Sequence, residues 1–283
     1  MMKLKQFFKN IKKALPKLLF SFLAFFFLIS CDNKPAAPTY SRKDIESTIK
    51  SLCTKEFNIE VKVWEVGDTI WVYSPFEKIV NSKGELDKDV SDKIRKIFLS
   101  LRRVILSMDK RPKFYCFVAS DINVGFDLYY AWYVRDLVMF ETGYISLGNF
   151  QEREAFIHAL NTKALGDTQG DHISRYDINL GEFISYLIKQ NIEKKFTEEK
   201  LKDNFKINDL HVKYYNKRLE IDFDIEVTKY KEGLLYPFDE TVAVTKNILK
   251  IYDYPEEISE VTINDAFNKK SRLYTRKALI EDN

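Results

Sequence analysis

Two stretches of alternating apolar and polar residues, each broken by a two-residue turn, restrict this chain to a fold that contains β-hairpins. Residues 59–74 read IEVKVWEVGDTIWVYS, and residues 210–227 read LHVKYYNKRLEIDFDIEV. Alternation places successive side chains on opposite faces of a sheet, and a two-residue loop fixes which residues oppose each other. In the first hairpin this register places Trp64 opposite Trp71.

The order of elements around these hairpins is repeated along the chain. Apolar residues at helical spacing predict a helix before each hairpin and another after it, followed by a further pair of strands. We therefore expect an α+β fold with two small antiparallel sheets, each with helices on one face. A duplicated α-β-β-α-β-β unit and two unrelated α+β domains both fit this order. The predicted elements are a helix from residue 41, the hairpin at 59–74, a helix at 87–108 and strands at 113–135, then a helix at 197–205, the hairpin at 210–227, a helix at 238–252 and strands at 258–276.

The region between the two repeats is predicted to be mostly helical and to join the two sheets. The whole chain is then expected to divide into five segments. These are a signal peptide at 1–30, a lipidated tether at 31–40, a first α+β domain at 41–135, a helical connecting segment at 136–196 and a second α+β domain at 197–283.

The N-terminal region has the cationic, apolar and small-residue order that a signal peptide requires. Residues 1–30 hold six lysines and no acidic residue, and residues 18–29 are apolar apart from one serine. A helix of this apolar length reaches roughly 18 Å, well short of the ~30 Å hydrocarbon core of a bilayer. We therefore expect a cleaved segment, with an uncleaved anchor as the alternative.

The residues at the end of this segment, Leu28-Ile29-Ser30-Cys31, resemble the lipobox of bacterial lipoproteins. The resemblance implies that the thiol of Cys31 receives a diacylglyceryl group, that cleavage occurs before it, and that its new amino group is often acylated. Such chains would hold the protein to a bacterial membrane, facing the periplasm or the exterior. Asp32 resembles the residue that favours inner-membrane retention in enterobacterial lipoproteins.

The charge of the chain gives no argument for a nucleic-acid partner. Six of the 45 lysine and arginine residues lie in the predicted signal peptide, so 39 basic residues face 42 acidic ones in the remainder. The basic charge therefore belongs to the targeting segment, and no basic stripe with interleaved aromatic residues follows it. The expected partners are the membrane, through the lipid, and a protein.

Five aromatic side chains are expected on one face of the first sheet. They are Trp64, Trp71, Tyr73, Tyr129 and Tyr133. A sheet face in contact with water does not usually carry so many rings, so something should cover this one. The chain's own middle segment or second half, a protein partner, and a flat ligand such as a sugar are the three alternatives, and these residues form the candidate binding surface.

The two cysteines after the lipobox allow two interpretations. Cys53 lies on the first predicted helix and Cys116 on the third predicted strand. Outside the cytoplasm they could form a disulfide, and in apolar segments they could equally be buried free thiols.

No motif of a known catalytic, metal or cofactor site occurs in the sequence. No catalytic residue, metal or cofactor is therefore expected, although Asp167, Asp171 and His172 share a loop that could hold a cation weakly. An enzyme would require at least two polar residues from distant parts of the chain to meet in one cleft. The candidates are His158, His172, His211, Asp121 and Asp127.

These observations favour a non-catalytic binding or assembly role at the bacterial envelope. A hydrolase that acts on envelope glycans or peptides is the alternative from another class. A periplasmic small-molecule binder is the third.

Overall fold

The structure is a computed structural model that describes residues 39–81, 85–198, 203–229 and 236–281. Cys31 and the predicted signal peptide lie outside these residues.

The described residues from Thr39 onward form one compact unit. The segments predicted at 41–135, 136–196 and 197–283 pack together within it, and the boundaries between them stay predictions.

The fold is α+β, as predicted, with two separate sheets. The helices are α1 (Ile45–Phe57), α2 (Lys88–Leu106), α3 (Val134–Glu141), α4 (Leu147–Gln151), α5 (Leu180–Thr197), α6 (Pro237–Ile251) and α7 (Arg276–Glu281). The strands are β1 (Lys62–Val66), β2 (Thr69–Phe76), β3 (Phe114–Asp121), β4 (Phe126–Tyr133), β5 (Ala155–Leu160), β6 (Phe205–Tyr215), β7 (Arg218–Val227), β8 (Glu260–Asp265) and β9 (Lys270–Thr275). Strands β1 to β5 form the first sheet in that order, and β6 to β9 form the second.

Both predicted hairpins have the register that their turns require. Trp64 opposes Trp71 in the first hairpin, and His211 opposes Asp222 in the second. The second turn places both of its residues, Asn216 and Lys217, at positive φ, which is the geometry of a tight two-residue loop between twisted strands.

The prediction that both sheets are antiparallel is wrong, because each has a parallel pair at its centre. Strand β3 runs parallel to β2, and β8 runs parallel to β7. The helices α2 and α6 carry the chain back across the sheet before the next strand begins, so that strand runs in the same direction as the last one. The sheets are therefore mixed.

The repeated order of elements is present in both halves. In each, a helix precedes an antiparallel hairpin, a crossover helix follows, and a second antiparallel hairpin ends the unit. The first helix of the second unit is α5, which ends at Thr197; of the short helix predicted at 197–205, residues 199–202 lie outside the described residues. Asn179 and Glu182 form a capping box that begins α5, whereas Phe205 already begins β6.

The middle of the chain is less helical than predicted. Strand β5 interrupts it and extends the first sheet beyond the repeated unit. Residues 161–178 then have one short 3₁₀ turn and otherwise irregular backbone. We call this segment the strap.

The two faces of the first sheet are buried by different parts of the chain. Helices α1 and α2 cover one face through residues such as Ile49, Ile97 and Leu101. The other face shares a hydrophobic core with the strap, α5, α6 and the second sheet. The first sheet is therefore enclosed on both sides, and α5 contributes to the core that links it to the second sheet.

A buried carboxylate ties the two halves together. Oδ1 of Asp136, on α3, accepts a hydrogen bond of 2.8 Å from Arg153, and its Oδ2 accepts one of 2.8 Å from the hydroxyl of Tyr252. Burial raises the pKa of Asp136, and these two donors oppose the rise. The pair of donors keeps this buried acid satisfied.

Candidate functional site

One row of side chains crosses the face of the first sheet that packs against the strap and α5. The side chains in this row become smaller from the β1 edge to the β5 edge. Cross-strand pairing aligns Trp64, Trp71, Cys116, Ala131 and Ala155 on successive strands from β1 to β5. The indoles fill the space above β1 and β2, whereas the two alanines leave space above β4 and β5. The row therefore produces a depression at the β5 end of this face.

A cavity of about 250 Å³ lies over the alanines. Its walls are aromatic and aliphatic. They are formed by Trp71, Tyr129, Tyr130, Ile157, Tyr176, Ile178 and Tyr186, with Cys116, Ala131, Ala155 and Ser174 completing the lining. None of these residues carries a charge at neutral pH, so the cavity suits an uncharged apolar group.

The aromatic side of the cavity is held in place by hydrogen bonds. The hydroxyl oxygens of Tyr176 and Tyr186 lie 2.7 Å apart, and Nε1 of Trp71 donates to the carbonyl of Tyr176 at 2.9 Å. Burial, and after it the hydrogen bond to Tyr186, raises the pKa of Tyr176. These bonds fix the strap residue Tyr176 between the sheet and α5.

A second feature, a buried polar network, lies four residues farther along β3 and β4 from the row at Cys116 and Ala131. Ser120 and Asp127 oppose each other on β3 and β4, and the Ser120 hydroxyl donates a short hydrogen bond to Oδ1 of Asp127. Nε2 of His172 lies 3.3 Å from the same oxygen and 3.4 Å from Oγ of Ser120. Oδ2 of Asp127 accepts from the Tyr129 hydroxyl and the Asn161 amide at 3.2 and 2.8 Å. The buried carboxylate thus has a hydrogen-bond partner at each oxygen.

Asp167 completes the network on the other side of the imidazole. Its Oδ2 lies 2.5 Å from Nδ1 of His172. Burial opposes ionisation of this carboxyl, but hydrogen bonds from the backbone and ring of His172 and from the amides of Gln169 and Gly170 lower the pKa of Asp167 to about 2. It is therefore ionised at every physiological pH.

The network attaches the strap to the first sheet. The hydroxyl of Tyr73 donates to the carbonyl of Asp167, and the carboxylate of Asp177 accepts from the Asp68 amide at 2.8 Å. With the bonds made by His172 and Tyr176, contacts to the sheet run along most of the strap. The polar network thus holds one wall of the cavity.

A serine, a histidine and an aspartate lie next to one another in space, as the nucleophile, base and acid of a hydrolase triad do. They are Ser120, His172 and Asp167. A nucleophile must reach its substrate, yet Ser120 is 0% exposed and the His172 side chain only 2%. The hydroxyl is also bonded to the Asp127 carboxylate rather than directed at open space. In this conformation the three residues act as a clamp, which means that they hold the strap against the first sheet.

The five predicted aromatic residues are covered by the chain itself, which is the first of the three alternatives. Trp71 and Tyr73 are buried, and the Arg175 guanidinium lies 4.2 Å from the ring centre of Trp64. Tyr133 packs against Phe114 and Phe183. They do not form an open surface, and only Trp71 and Tyr129 contact the cavity.

An enzyme would require at least two of the five polar candidates to meet in one cleft. His172 and Asp127 lie together, as described above. Asp121 is elsewhere and accepts hydrogen bonds from the amides of Ile79, Asn123 and Val124, while His158 and His211 are exposed on separate sheets. One pair out of the set is therefore brought together, in the interior.

The cysteines after the lipobox are both free. Cys53 is buried in the core under α1 and α2, and Cys116 in the core on the opposite face of the first sheet. The sheet separates them, so the disulfide predicted as one alternative does not form in this structure. Burial raises the pKa of each thiol.

Within the described part of the chain, no group of three or more His, Cys, Asp or Glu side chains has the arrangement of a metal site. No helix there has the length and apolar character needed to cross a bilayer.

Sequence reasoning did not identify Tyr176, Tyr186 and Ala155 as neighbours. The strap has no periodicity, so its contacts cannot be read from spacing. The small residue Ala131 among large aromatic ones on β4 was the available signal, because a gap in a row of rings predicts a cavity.

Comparisons of the chain with protein-family models, with curated proteins and with solved structures return no match.

Proposed function

We propose that this protein is a lipid-anchored component of a bacterial envelope with a non-catalytic binding role, and that the aromatic cavity is its binding site. The observation that carries the proposal is the contrast between the two features of the first sheet. The cavity is an apolar space lined by aromatic rings. The side chains of Ser120, His172 and Asp167 meet as a nucleophile, a base and an acid would, but Ser120 is buried and its hydroxyl is bonded to the Asp127 carboxylate.

An aromatic cavity supports binding because rings provide large apolar contact area with little loss of side-chain entropy. Its fixed walls support it further, since Trp71, Tyr176 and Tyr186 are held by hydrogen bonds before any ligand enters. A preformed site loses less conformational freedom on binding than a flexible one. Assembly with a protein partner would use the same aromatic contact area and the same preformed walls.

The anchor part of the proposal rests on the four lipobox residues and the cationic, apolar segment before them. Two or three acyl chains at Cys31 would hold the binding domain close to a membrane surface. Asp32 favours the inner membrane by resemblance. The residues between Cys31 and Thr39, which include two prolines, would link the lipid to the folded part of the chain.

Mass spectrometry of the N-terminus of the purified full-length protein tests the anchor. We expect a diacylglyceryl-modified Cys31 as the first residue. The Cys31→Ser variant should keep its N-terminal segment or lose membrane attachment. An intact, unmodified N-terminus in the wild type would contradict the anchor.

A cavity-filling substitution tests the binding site. Ala155→Phe would place a ring in the cavity, whereas Ala243→Phe makes the same change at an exposed position of α6, outside the cavity lining and outside β5. Each full-length variant is purified from detergent-solubilised membranes, and bound proteins and small molecules are quantified by mass spectrometry. We expect the wild type and Ala243→Phe to carry similar amounts of bound material, and Ala155→Phe to carry about tenfold less or lower still. Equal binding to Ala155→Phe, or no specifically bound material in any sample, would contradict the proposal.

A further inference from the structure

Strand β5 is the one uncharged edge among the four sheet edges of the described residues. The edge strands are β1, β5, β6 and β9. Proteins protect such edges with charged side chains or bulges because an open edge recruits other strands. The other three edges are protected in this way, by Lys62 and Glu65 on β1, by Lys206, Asp209, Lys213 and a bulge on β6, and by Lys270 and Arg272 on β9. Strand β5 reads AFIHAL.

Two of the exposed side chains of β5 are large and apolar. Ile157 is 40% exposed and Leu160 is 83% exposed. An apolar edge strand without charges is an aggregation hazard unless something pairs with it. The sequence of β5 is therefore better suited to a partner than to water.

The first outward-facing backbone groups of this edge are hydrogen-bonded to a side chain, which makes the bonds that a neighbouring strand would make. Oε1 of Gln190, on α5, accepts a hydrogen bond of 2.8 Å from the Phe156 amide, and Nε2 of Gln190 donates to the Glu154 carbonyl at 3.2 Å. Outward-facing backbone groups recur at every second residue of a strand. The N–H groups of His158 and Leu160 therefore point away from β4 in the same direction as that of Phe156.

A separate groove runs beside the edge, next to the aromatic cavity. It has a volume of about 370 Å³ and lies between β5 and α5; Phe156 and His158 line it from β5, and the polar residues that line it from α5 are Lys189, Gln190, Glu193 and Lys194. Ile157 and Tyr186 line both the groove and the cavity. Backbone hydrogen-bonding groups and a side-chain pocket thus lie next to each other.

The size of the cavity indicates what enters it. Pockets for drug-sized molecules range from about 300 to 1,000 Å³, and an apolar space of about 150 Å³ already holds a benzene ring. At about 250 Å³ the cavity matches one large apolar side chain better than a whole ligand of that class.

We propose that β5 binds an extended peptide segment of a partner protein, which adds to the first sheet as a sixth strand and places one large apolar side chain in the aromatic cavity. This inference rests on the proposed binding function and specifies the class of partner. Backbone hydrogen bonds to His158 and Leu160 provide affinity, and the cavity provides selectivity for the anchoring side chain.

The probe is a displayed library of random heptapeptides, selected on the immobilised full-length protein in detergent. Selected sequences are then synthesised with blocked ends, and their affinity is measured by isothermal titration calorimetry. We expect the selected peptides to share one large aromatic or aliphatic residue. We also expect Ala155→Phe, and N-methylation of alternate peptide amides, each to weaken binding by about tenfold or more.

A pair of substitutions at one position isolates the backbone contact. His158→Pro removes an outward N–H at an edge position, where proline is tolerated, and His158→Ala keeps that N–H while removing the same ring. We expect peptide affinity to be about tenfold lower with proline than with alanine, because only proline removes the backbone hydrogen bond. If the proline variant does not fold, the N-methylated peptides carry the same test.

Several outcomes would overturn strand addition. The first is a library without binders, and the second is binding that is insensitive to both His158→Pro and N-methylation. The third is a wild-type dimer in sedimentation analysis that His158→Pro makes monomeric, because the occupant of the edge would then be a second copy of this chain. Each leaves the proposed function intact if Ala155→Phe still removes copurified material. Loss of the peptide inference and loss of the binding function are therefore distinguishable.

Discussion

Nδ1 of His172 lies 2.5 Å from Oδ2 of Asp167, and this contact closes the polar network that fastens the strap over the first sheet. On its other side the same imidazole reaches Asp127 on β4. One wall of the aromatic cavity belongs to the strap, through Tyr176 and Ile178. The shape of the cavity therefore depends on a histidine held between two carboxylates.

We expect Asp167→Asn to lower the free energy of unfolding at pH 7 by about 1 to 3 kcal/mol, because the charged partner of a buried imidazole is lost. The pKa of Asp167 is lowered in the fold from its ordinary 3.8 to about 2. Its stabilising contribution is thus fully present above pH 4 and is lost as the pH falls through 2. Urea unfolding at pH 7 and pH 2.5 should show the difference between variant and wild type shrinking at the lower pH.

Asp171→Asn is the control for this experiment, since Asp171 lies in the same loop and is exposed. It should change the free energy of unfolding by less than about 0.5 kcal/mol. An Asp167→Asn variant as stable as the wild type at pH 7 would show that the contact with His172 contributes nothing to the strap.

We expect no labelling of the folded protein by a fluorophosphonate, because Ser120 is buried and its hydroxyl is bonded to Asp127. Ser120→Ala should instead lower the free energy of unfolding by about 1 to 3 kcal/mol, since a buried carboxylate loses a donor. Gel-based labelling and urea unfolding measure the two effects. Labelling that Ser120→Ala abolishes would favour the hydrolase alternative over a clamp.

We expect Glu154→Gln to stabilise the protein above pH 7 by on the order of 1 to 3 kcal/mol. Burial raises the pKa of Glu154 from its ordinary 4.5 to about 7, although the indole N–H of Trp132 donates to it at 2.9 Å. Between these values the folded state keeps a proton that the unfolded state releases, so stability falls as the pH rises from 4.5 to 7. Glutamine keeps the acceptor for the indole without the charge.

Unfolding in urea from pH 4 to pH 8 measures this effect. The two proteins should be nearly equal at pH 4 and diverge up to pH 7. Glu152→Gln, at an exposed position two residues earlier, should follow the wild type throughout. Parallel curves for wild type and Glu154→Gln would mean that Glu154 is ionised without cost.

The local part of this fold was predictable because two-residue turns fix registers. The pairing of Trp64 with Trp71, and of His211 with Asp222, follows from counting outward from each turn. The parallel centre of each sheet was not predicted, because the direction of β3 depends on where α2 returns the chain and not on any local pattern. Strand β5 was missed for a related reason, since a short apolar run such as AFIHAL suits a helix or a strand equally well.

The candidate site was predictable only in part. The face that carries Trp71 and Tyr129 was identified by alternation, and so was the need for something to cover it. What covers it is the strap, whose position depends on contacts such as the one between His172 and Asp127, 45 residues apart in sequence. Irregular backbone has no period from which such contacts could be inferred.

The packing of α5 against the second sheet leads to a last prediction, at Gly181. A Cβ atom at this position would lie 2.3 Å from a ring carbon of Tyr214 on β6, much closer than two carbon atoms can approach. We expect Gly181→Ala to lower the free energy of unfolding by about 1 to 3 kcal/mol through this clash. That cost should outweigh the roughly 1 kcal/mol by which alanine favours a helix over glycine.

The Tyr214→Ala background separates the clash from the helix preference. With the ring removed, Gly181→Ala should become neutral or stabilising by up to about 1 kcal/mol, because only the helix preference remains. A double-mutant cycle in urea would then give a coupling energy of about 1 to 3 kcal/mol between the two positions. An equal cost of Gly181→Ala in both backgrounds would mean that α5 and β6 do not approach each other here as closely as the structure has them. In that case the core shared by the two sheets would be looser than the one that now supports the wall of the cavity.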